Sequence, residues 1–134
     1  MTISYDIDVA RRLVRLTLEG PADPAEWFAV MEAATKDPRY EPGFDFLYDR
    51  TATDHIPDAM YVRAWVFRHA AMMKQTGLGR LAVIVSQPVV YGMLRMASVF
   101  AESAGVAVTV FWTEGEALAW LSRASDVPVA SNGP

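Results

Sequence analysis

Polar side chains able to bind ligands or move protons follow three apolar, strand-like segments of this 134-residue chain. The segments end at Tyr48, Val85 and Phe111, and each leads through a turn into an apolar helix. Ligands of open parallel sheets bind beyond the carboxyl ends of the strands, so we expect a crevice where these ends meet. The candidate crevice residues are Asp49, Thr51, Asp54, His55, Ser86, Gln87, Tyr91, Trp112 and Thr113.

An Asp/His pair is one chemical interpretation of this region. His55 beside Asp49 or Asp54 could serve as a general base. The common nucleophiles are not indicated, because the chain has no cysteine and no Gly-x-Ser-x-Gly elbow. No catalytic residue is therefore predicted, and a small enzyme stays an alternative.

The same polar residues also have a structural interpretation. Asp54, Asp58, Ser86 and Thr113 stand where helix caps are needed, and Asp49 could pair with Arg50 or another nearby base. Helix N-termini in the same region would also offer backbone N–H groups to an anion. Capping is the favoured interpretation, although the polar segment 49–58 is longer than capping requires.

A metal site is not supported by the two histidines of the chain. His55 and His69 are far apart in sequence, and His69 lies inside an apolar helical segment. We expect His69 to be a hydrogen-bonded core or interface residue. No metal and no cofactor are predicted.

The order of the elements follows from hydropathy and turn residues. Two segments of alternating polarity, 3–7 and 14–18, predict a β-hairpin, and three further strands are predicted over 44–48, 80–85 and 106–111. Helices are predicted to begin near Pro24, Asp58, Pro88 and Glu114. The order ββαβαβαβα predicts an α/β fold, a five-stranded mixed and mostly parallel sheet flanked by about four helices. Right-handed crossovers should place helices on both faces, with one antiparallel strand at an edge.

Composition limits the partners that the chain could have. A net charge of -4 argues against nucleic acid, and 52% hydrophobic residues suffice for one core. No segment is long and apolar enough to span a bilayer, and the first residues do not resemble a signal peptide. We expect a cytoplasmic protein with a single domain over residues 1–124 and a flexible tail over 125–134.

Two helical segments, 59–73 and 89–100, have unusually narrow polar faces. A helix on the outside of a sheet needs only one apolar stripe, so further apolar surface should be covered by a second subunit, a partner or a lipid-like ligand. A homodimer is the expected assembly, because two-fold pairing is the commonest kind. The candidate interface residues are Tyr61, Trp65, Arg68, Met72, Met73, Met93 and Met96.

This organisation resembles the SpoIIAA-like family, which is related to the STAS domains of anti-sigma-factor antagonists. The likeness covers Ile3 to about Leu121. It is carried by Leu-Thr-Leu-Glu-Gly at 16–20, the capped helix after it, Phe-Leu-Tyr-Asp at 46–49 and Val-Ile-Val at 83–85. The resemblance implies a SpoIIAA-like fold. The architecture also resembles that of the lipid-carrying CRAL-TRIO domains.

Phosphorylatable STAS domains carry a serine in an Asp-Ser-Ser-Gly-like turn after the third strand. The corresponding segment here, 54–58, reads Asp-His-Ile-Pro-Asp and contains no serine. The resemblance therefore does not transfer a phosphorylation switch, and modification of Thr51 or Thr53 stays open.

Three functions remain as hypotheses from the sequence. The first is a non-catalytic regulatory or protein-interaction module, dimeric through its helical surface. The second is a carrier or sensor of a small apolar or amphipathic ligand held between the second and third helices and the sheet. The third is the small enzyme that uses an Asp/His pair.

Overall fold

Five strands form one mixed sheet in the computed structural model, which describes residues 3–21, 23–77 and 79–126. The first two strands pair antiparallel as a hairpin, and the other neighbouring pairs are parallel. The strands are β1 (Ile3–Asp8), β2 (Leu13–Glu19), β3 (Asp45–Ala52), β4 (Leu81–Ile84) and β5 (Val108–Phe111). The predicted α/β class, strand number and element order are confirmed, and β1 lies at the edge as expected.

Four helices follow in the predicted positions. They are α1 (Pro24–Lys36), α2 (Ala59–Thr76), α3 (Pro88–Ser103) and α4 (Glu114–Asp126). Asp58 caps α2 by accepting hydrogen bonds from the backbone N–H groups of Met60 and Tyr61. Thr113 and Glu116 form a reciprocal capping box at the start of α4. The part of the predicted tail beyond Asp126 lies outside the described residues.

The helices are divided unequally between the two faces of the sheet. The spatial order of the strands, β1-β2-β3-β4-β5, is also their order in the chain. Each right-handed crossover therefore steps in the same direction, and α1, α2 and α3 share one face. Only α4 covers the other face, where Ala117 and Leu121 pack against Leu47 and Ile84.

The premise of the predicted crevice is that β3, β4 and β5 lie side by side and run in the same direction, and this is confirmed. Ligands of open α/β sheets bind where the strand order reverses, since helices then diverge to opposite faces. No reversal occurs among the four parallel-paired strands β2 to β5. The crevice itself stays a prediction.

One correction concerns the segment after Tyr48. The polar stretch predicted as a loop over 49–58 is strand as far as Ala52, so the β3–α2 connection spans only residues 53–58. Backbone pairing continues because Thr17 and Glu19 of β2 extend alongside Asp49 and Ala52. The register shifts here, because β3 uses three steps from Asp49 to Ala52 where β2 uses two, so regular side-chain alternation holds as far as Arg50 and not to the end of the strand.

Candidate functional site

A cavity of about 30 Å³ lies between α2, α3 and the sheet, on the face covered by three helices. Its walls are mainly aromatic and aliphatic, and one charged side chain, Arg50, is among them. The lining residues are Tyr48, Arg50, Pro57, Tyr61, Val62, Trp65, Val83 and Leu94. A space of this size holds about two water molecules.

Arg50 is buried, with 6% of its surface exposed, although arginine is almost never buried unless it is paired. Its Nη2 donates a hydrogen bond to the His55 carbonyl oxygen at 3.2 Å. Its Nε–H has no acceptor and is closed off from solvent. No carboxylate of residues 3–21, 23–77 and 79–126 forms an ion pair with this guanidinium.

The alternation of β3 explains why Arg50 faces the cavity. Tyr48 and Arg50 are two residues apart, so both lie on the helical face, while Asp49 faces the opposite side. The expected pairing of Asp49 with Arg50 is therefore wrong, since adjacent strand residues point away from each other. Asp49 instead accepts hydrogen bonds from the backbone N–H and the hydroxyl of Thr51.

Burial changes the proton affinities around the cavity. Desolvation lowers the pKa of Arg50, and the nearby phenol groups of Tyr48 and Tyr61 oppose that shift. Desolvation raises the pKa of Tyr48 and of Tyr61, with the Arg50 charge acting against the rise in both. The cavity therefore presents a cation beside two neutral phenols at neutral pH.

An apolar groove of about 250 Å³ lies on the outer surface between α2 and α3. Val62 lines both this groove and the cavity, so the two spaces are neighbours. Met60 and Met96 on the groove walls are 82% and 65% exposed. The groove residues are Ala59, Met60, Val62, Arg63, Met93, Met96, Ala97 and Phe100.

The nine predicted crevice residues are brought together only in small groups, and none lines the cavity. Tyr91 stacks on Trp112 with ring centroids 4.4 Å apart. The Gln87 amide donates to the Asp54 carbonyl oxygen at 3.1 Å, which joins the β3–α2 connection to the start of α3. Asp49 contacts Thr51, as described above.

The other predicted crevice residues are held by local contacts or are exposed. Thr113 is engaged in its capping box, and Ser86 is exposed and does not cap α3, whose N-cap residue is Gln87. His55 is half-buried, and its backbone N–H donates to the Thr53 hydroxyl at 3.1 Å. The Thr53 side chain is itself buried and donates to the Gly20 carbonyl oxygen, whereas Thr51 is exposed.

The predicted interface residues divide into core and surface. Trp65 is 5% exposed and packs edge-on against Trp27 inside the chain, so it does not contribute exposed surface. The guanidinium of Arg68 lies 3.8 Å from the centre of the Phe28 ring. Tyr61, Met72, Met73 and Met93 are half-buried, and Met96 is exposed.

His69 corrects one further expectation. It is a core residue, 1% exposed and stacked on Trp65, but neither ring nitrogen has a hydrogen-bond partner. Burial lowers the pKa of His69 to about 4. The imidazole is consequently neutral near pH 7.

Arg50 is the cavity residue that the nine candidate crevice residues do not include. The sequence places it at the carboxyl end of the third strand, beside Asp49 and Thr51, and also offers it as a partner of Asp49. The alternation Phe46, Tyr48, Arg50 carries the signal, since it places the arginine on the face of two aromatic residues. Within the described ranges, no three His, Asp or Glu side chains converge as a metal site would require. The helices of the described residues include none that is both long and apolar enough to cross a bilayer.

Comparison with known proteins identifies the fold. No family model and no curated protein matches this sequence. Among solved structures, the chain is similar to an uncharacterized protein of the DUF3478 family from Shewanella loihica PV-4, described as having a SpoIIAA-like fold. The sequences are 19% identical, the match covers 89% of this chain and 93% of the other, and the TM-score is 0.59. The predicted SpoIIAA-like fold is thereby confirmed.

Proposed function

We propose that this chain is a non-catalytic binding module for a small amphipathic molecule held between α2, α3 and the sheet. The observation that carries the proposal is a small cavity lined by one buried cation beside a larger apolar groove, with Val62 lining both. A ligand with a polar end and an apolar tail matches this arrangement. The polar end would occupy the cavity, and the tail would cover the groove.

The groove supports the apolar half of the proposal. Met60 and Met96 expose large flexible side chains that cost free energy in contact with water. Methionine adapts to ligands of different shape because its side chain is unbranched and polarizable. Burying these side chains under a hydrocarbon tail would remove apolar surface from solvent.

A titration with 1-octanol tests this proposal, because the molecule has a polar hydroxyl end and an apolar chain but carries no charge. We expect saturable shifts of backbone amide NMR signals along α2 and α3. The double variant Met60→Gln with Met96→Gln keeps side-chain length, removes apolar surface and should weaken binding several-fold. The control Val9→Gln makes the same kind of change at an exposed position, 53% accessible, in the β1–β2 turn, and should bind as the native protein does. Non-saturable shifts, or equal weakening in both variants, would contradict the proposal.

A second candidate function is the protein-interaction module, acting as a homodimer or with a regulatory partner. It is favoured by the exposure of five large apolar side chains on α2 and α3. These are Met60, Phe67, Val89, Met96 and Val99. Covering them with a second copy would stabilise a dimer through the same surface that the ligand tail would use.

Light scattering across a concentration series separates the two candidates. A dimer formed through this surface should dissociate in the Met60→Gln, Met96→Gln double variant and persist in Val9→Gln. A native protein that stays monomeric at high concentration, or a dimer that the double variant does not weaken, counts against the interaction surface.

A further inference from the structure

We propose that the polar end of the ligand is a carboxylate, bound by the guanidinium of Arg50. This inference rests on the proposed function, and it names the chemical class of the ligand. Its basis is the arginine that the chain buries beside an apolar cavity without a counter-ion among the residues that the structure describes.

One buried hydrogen-bond donor of Arg50 is unused. A guanidinium carries five N–H donors, and the protein acceptor found for Arg50 is the His55 carbonyl oxygen. Nη2 donates one hydrogen bond to that oxygen, and Nε–H has no acceptor. Buried polar groups are nearly always paired, so an unpaired one requires an explanation.

Arg80 shows how a carboxylate in this protein pairs with the Nε and Nη2 groups of a guanidinium. Its Nε donates to Asp45 Oδ1 at 3.1 Å and its Nη2 to Asp45 Oδ2 at 2.6 Å. Such bidentate pairing fixes the orientation of the carboxylate relative to the guanidinium and adds affinity. Arg50 has the same Nε and Nη2 groups but no carboxylate, and a ligand carboxylate would supply the missing partner.

The surroundings of Arg50 favour a monocarboxylate over other ligands. Among the residues that the structure describes, Arg50 is the only charged one lining the cavity, so one negative charge balances the site. A phosphate dianion would need further donors, and the remaining walls are mostly aromatic and aliphatic. A cationic ligand would be repelled by the guanidinium.

Binding requires the wall of the cavity to move. The cavity volume of about 30 Å³ is small, and Arg50 Nε is inaccessible to solvent. A carboxylate can therefore reach Nε only if residues of the cavity wall move. Pro57 belongs to the irregular connection 53–58, and Tyr61 lies half-buried in the first turn of α2. These two residues lie in the connection and the first helical turn, so we expect this part of the wall to move most readily.

The experiment compares sodium octanoate with 1-octanol, which share an alkyl chain but differ in the head group. Dissociation constants are measured by calorimetry or NMR for the native chain, Arg50→Met, Arg50→Lys and Arg95→Met. Arg95 is the control because it is an exposed arginine of α3 that lines neither the groove nor the cavity, so its replacement removes one positive charge without changing either space. Circular dichroism establishes that each variant is folded.

We expect the native chain to bind octanoate at least tenfold more tightly than 1-octanol, since hydrogen bonds to charged groups are the strong ones. Arg50→Met should reduce the ratio of the two dissociation constants to about one. Arg50→Lys should retain only part of the preference for octanoate, and Arg95→Met should keep it. In native protein labelled with ¹⁵N, octanoate should also shift one arginine Nε signal that is missing from Arg50→Lys. This signal tests the contact even if Arg50→Met does not fold.

The outcomes distinguish this inference from the proposed function. Equal affinity for octanoate and 1-octanol, with both weakened by the Met60→Gln, Met96→Gln double variant, would contradict the carboxylate inference. The proposed binding of an amphipathic ligand would still be supported. A preference for octanoate that Arg95→Met removes, or that Arg50→Met keeps, also overturns the inference. Acetate binding that requires Arg50, without any binding of 1-octanol, supports the carboxylate contact and removes the groove from the proposed function.

Discussion

Arg50 and His55 are joined by a hydrogen bond of 3.2 Å from the guanidinium to a backbone carbonyl oxygen. This contact ties the end of β3 to the connection that leads into α2. A residue facing the cavity thus also holds the segment that forms part of the cavity wall. Ligand contact at Arg50 and movement of residues 53–58 should therefore be coupled.

Replacing Arg50 with methionine should raise the free energy of unfolding by about 1 kcal/mol, since a buried charge without a counter-ion is exchanged for an apolar side chain. Arg80→Met should instead lower it by about 3 kcal/mol, because Asp45, 9% exposed, would keep its charge without the guanidinium. Urea denaturation measures both. A large loss of stability in Arg50→Met would show that Arg50 is chiefly structural.

Stability should fall as the solution is acidified, in part through His69. Its pKa is about 4 in the folded chain and about 6.5 in a model peptide, so between these values the unfolded state binds more protons. The His69 contribution is fully present above pH 6.5 and is lost as pH falls toward 4. Between pH 7 and pH 5 the expected loss is about 2 kcal/mol.

The variant His69→Phe isolates this contribution, because it keeps a ring beside Trp65 and cannot titrate. Urea denaturation at several pH values should give a shallower pH dependence for the variant than for the native chain. Equal slopes would mean that the buried imidazole does not resist protonation.

Gly79 has no room for a side chain. A Cβ there would lie 2.6 Å from both Asp45 Oδ1 and the Phe44 carbonyl oxygen. Gly79→Ala should therefore destabilise the fold by about 2 kcal/mol, as overpacked positions do. Gly92→Ala is the matched control, since nothing lies within 4 Å of a Cβ in the middle of α3. It should stabilise the chain by up to about 1 kcal/mol through helix propensity.

The first turn of α2 depends on the Asp58 cap. Its carboxylate accepts hydrogen bonds from Met60 N–H at 2.8 Å and Tyr61 N–H at 3.2 Å. Asp58→Ala should cost about 1 kcal/mol and increase amide hydrogen exchange around Tyr61, beside the cavity. Asp54→Ala changes an exposed aspartate in the same connection and should stay within about 0.5 kcal/mol of the native chain. Equal effects of the two changes would argue against the cap.

Local patterns were sufficient to predict the elements. Alternation in β1 and β2, Asp58 and Gly77 at the ends of α2, and the Thr113–Glu116 box are short-range signals that act within one element. They determine where strands and helices begin, and the confirmed order followed from them.

The site depended on features that no local pattern encodes. The end of β3 was predicted four residues early, because residues 49–52 are polar and their strand character comes from pairing with β2. That boundary decides the direction of the Arg50 side chain. Which strands become neighbours also decides whether a crevice opens at the carboxyl ends, and that choice is made by tertiary packing.

The agreement between strand order and chain order bears on how the molecule assembles. Each strand lies beside the one that precedes it in the chain, so no pairing must wait for a distant segment. Pairing each strand with the next one along the chain keeps the sequence separation of the pairs as low as parallel crossovers allow, and lower separation favours faster folding. As synthesis proceeds, every new strand meets an edge that already exists, and the growing sheet never has to reopen to admit a later one.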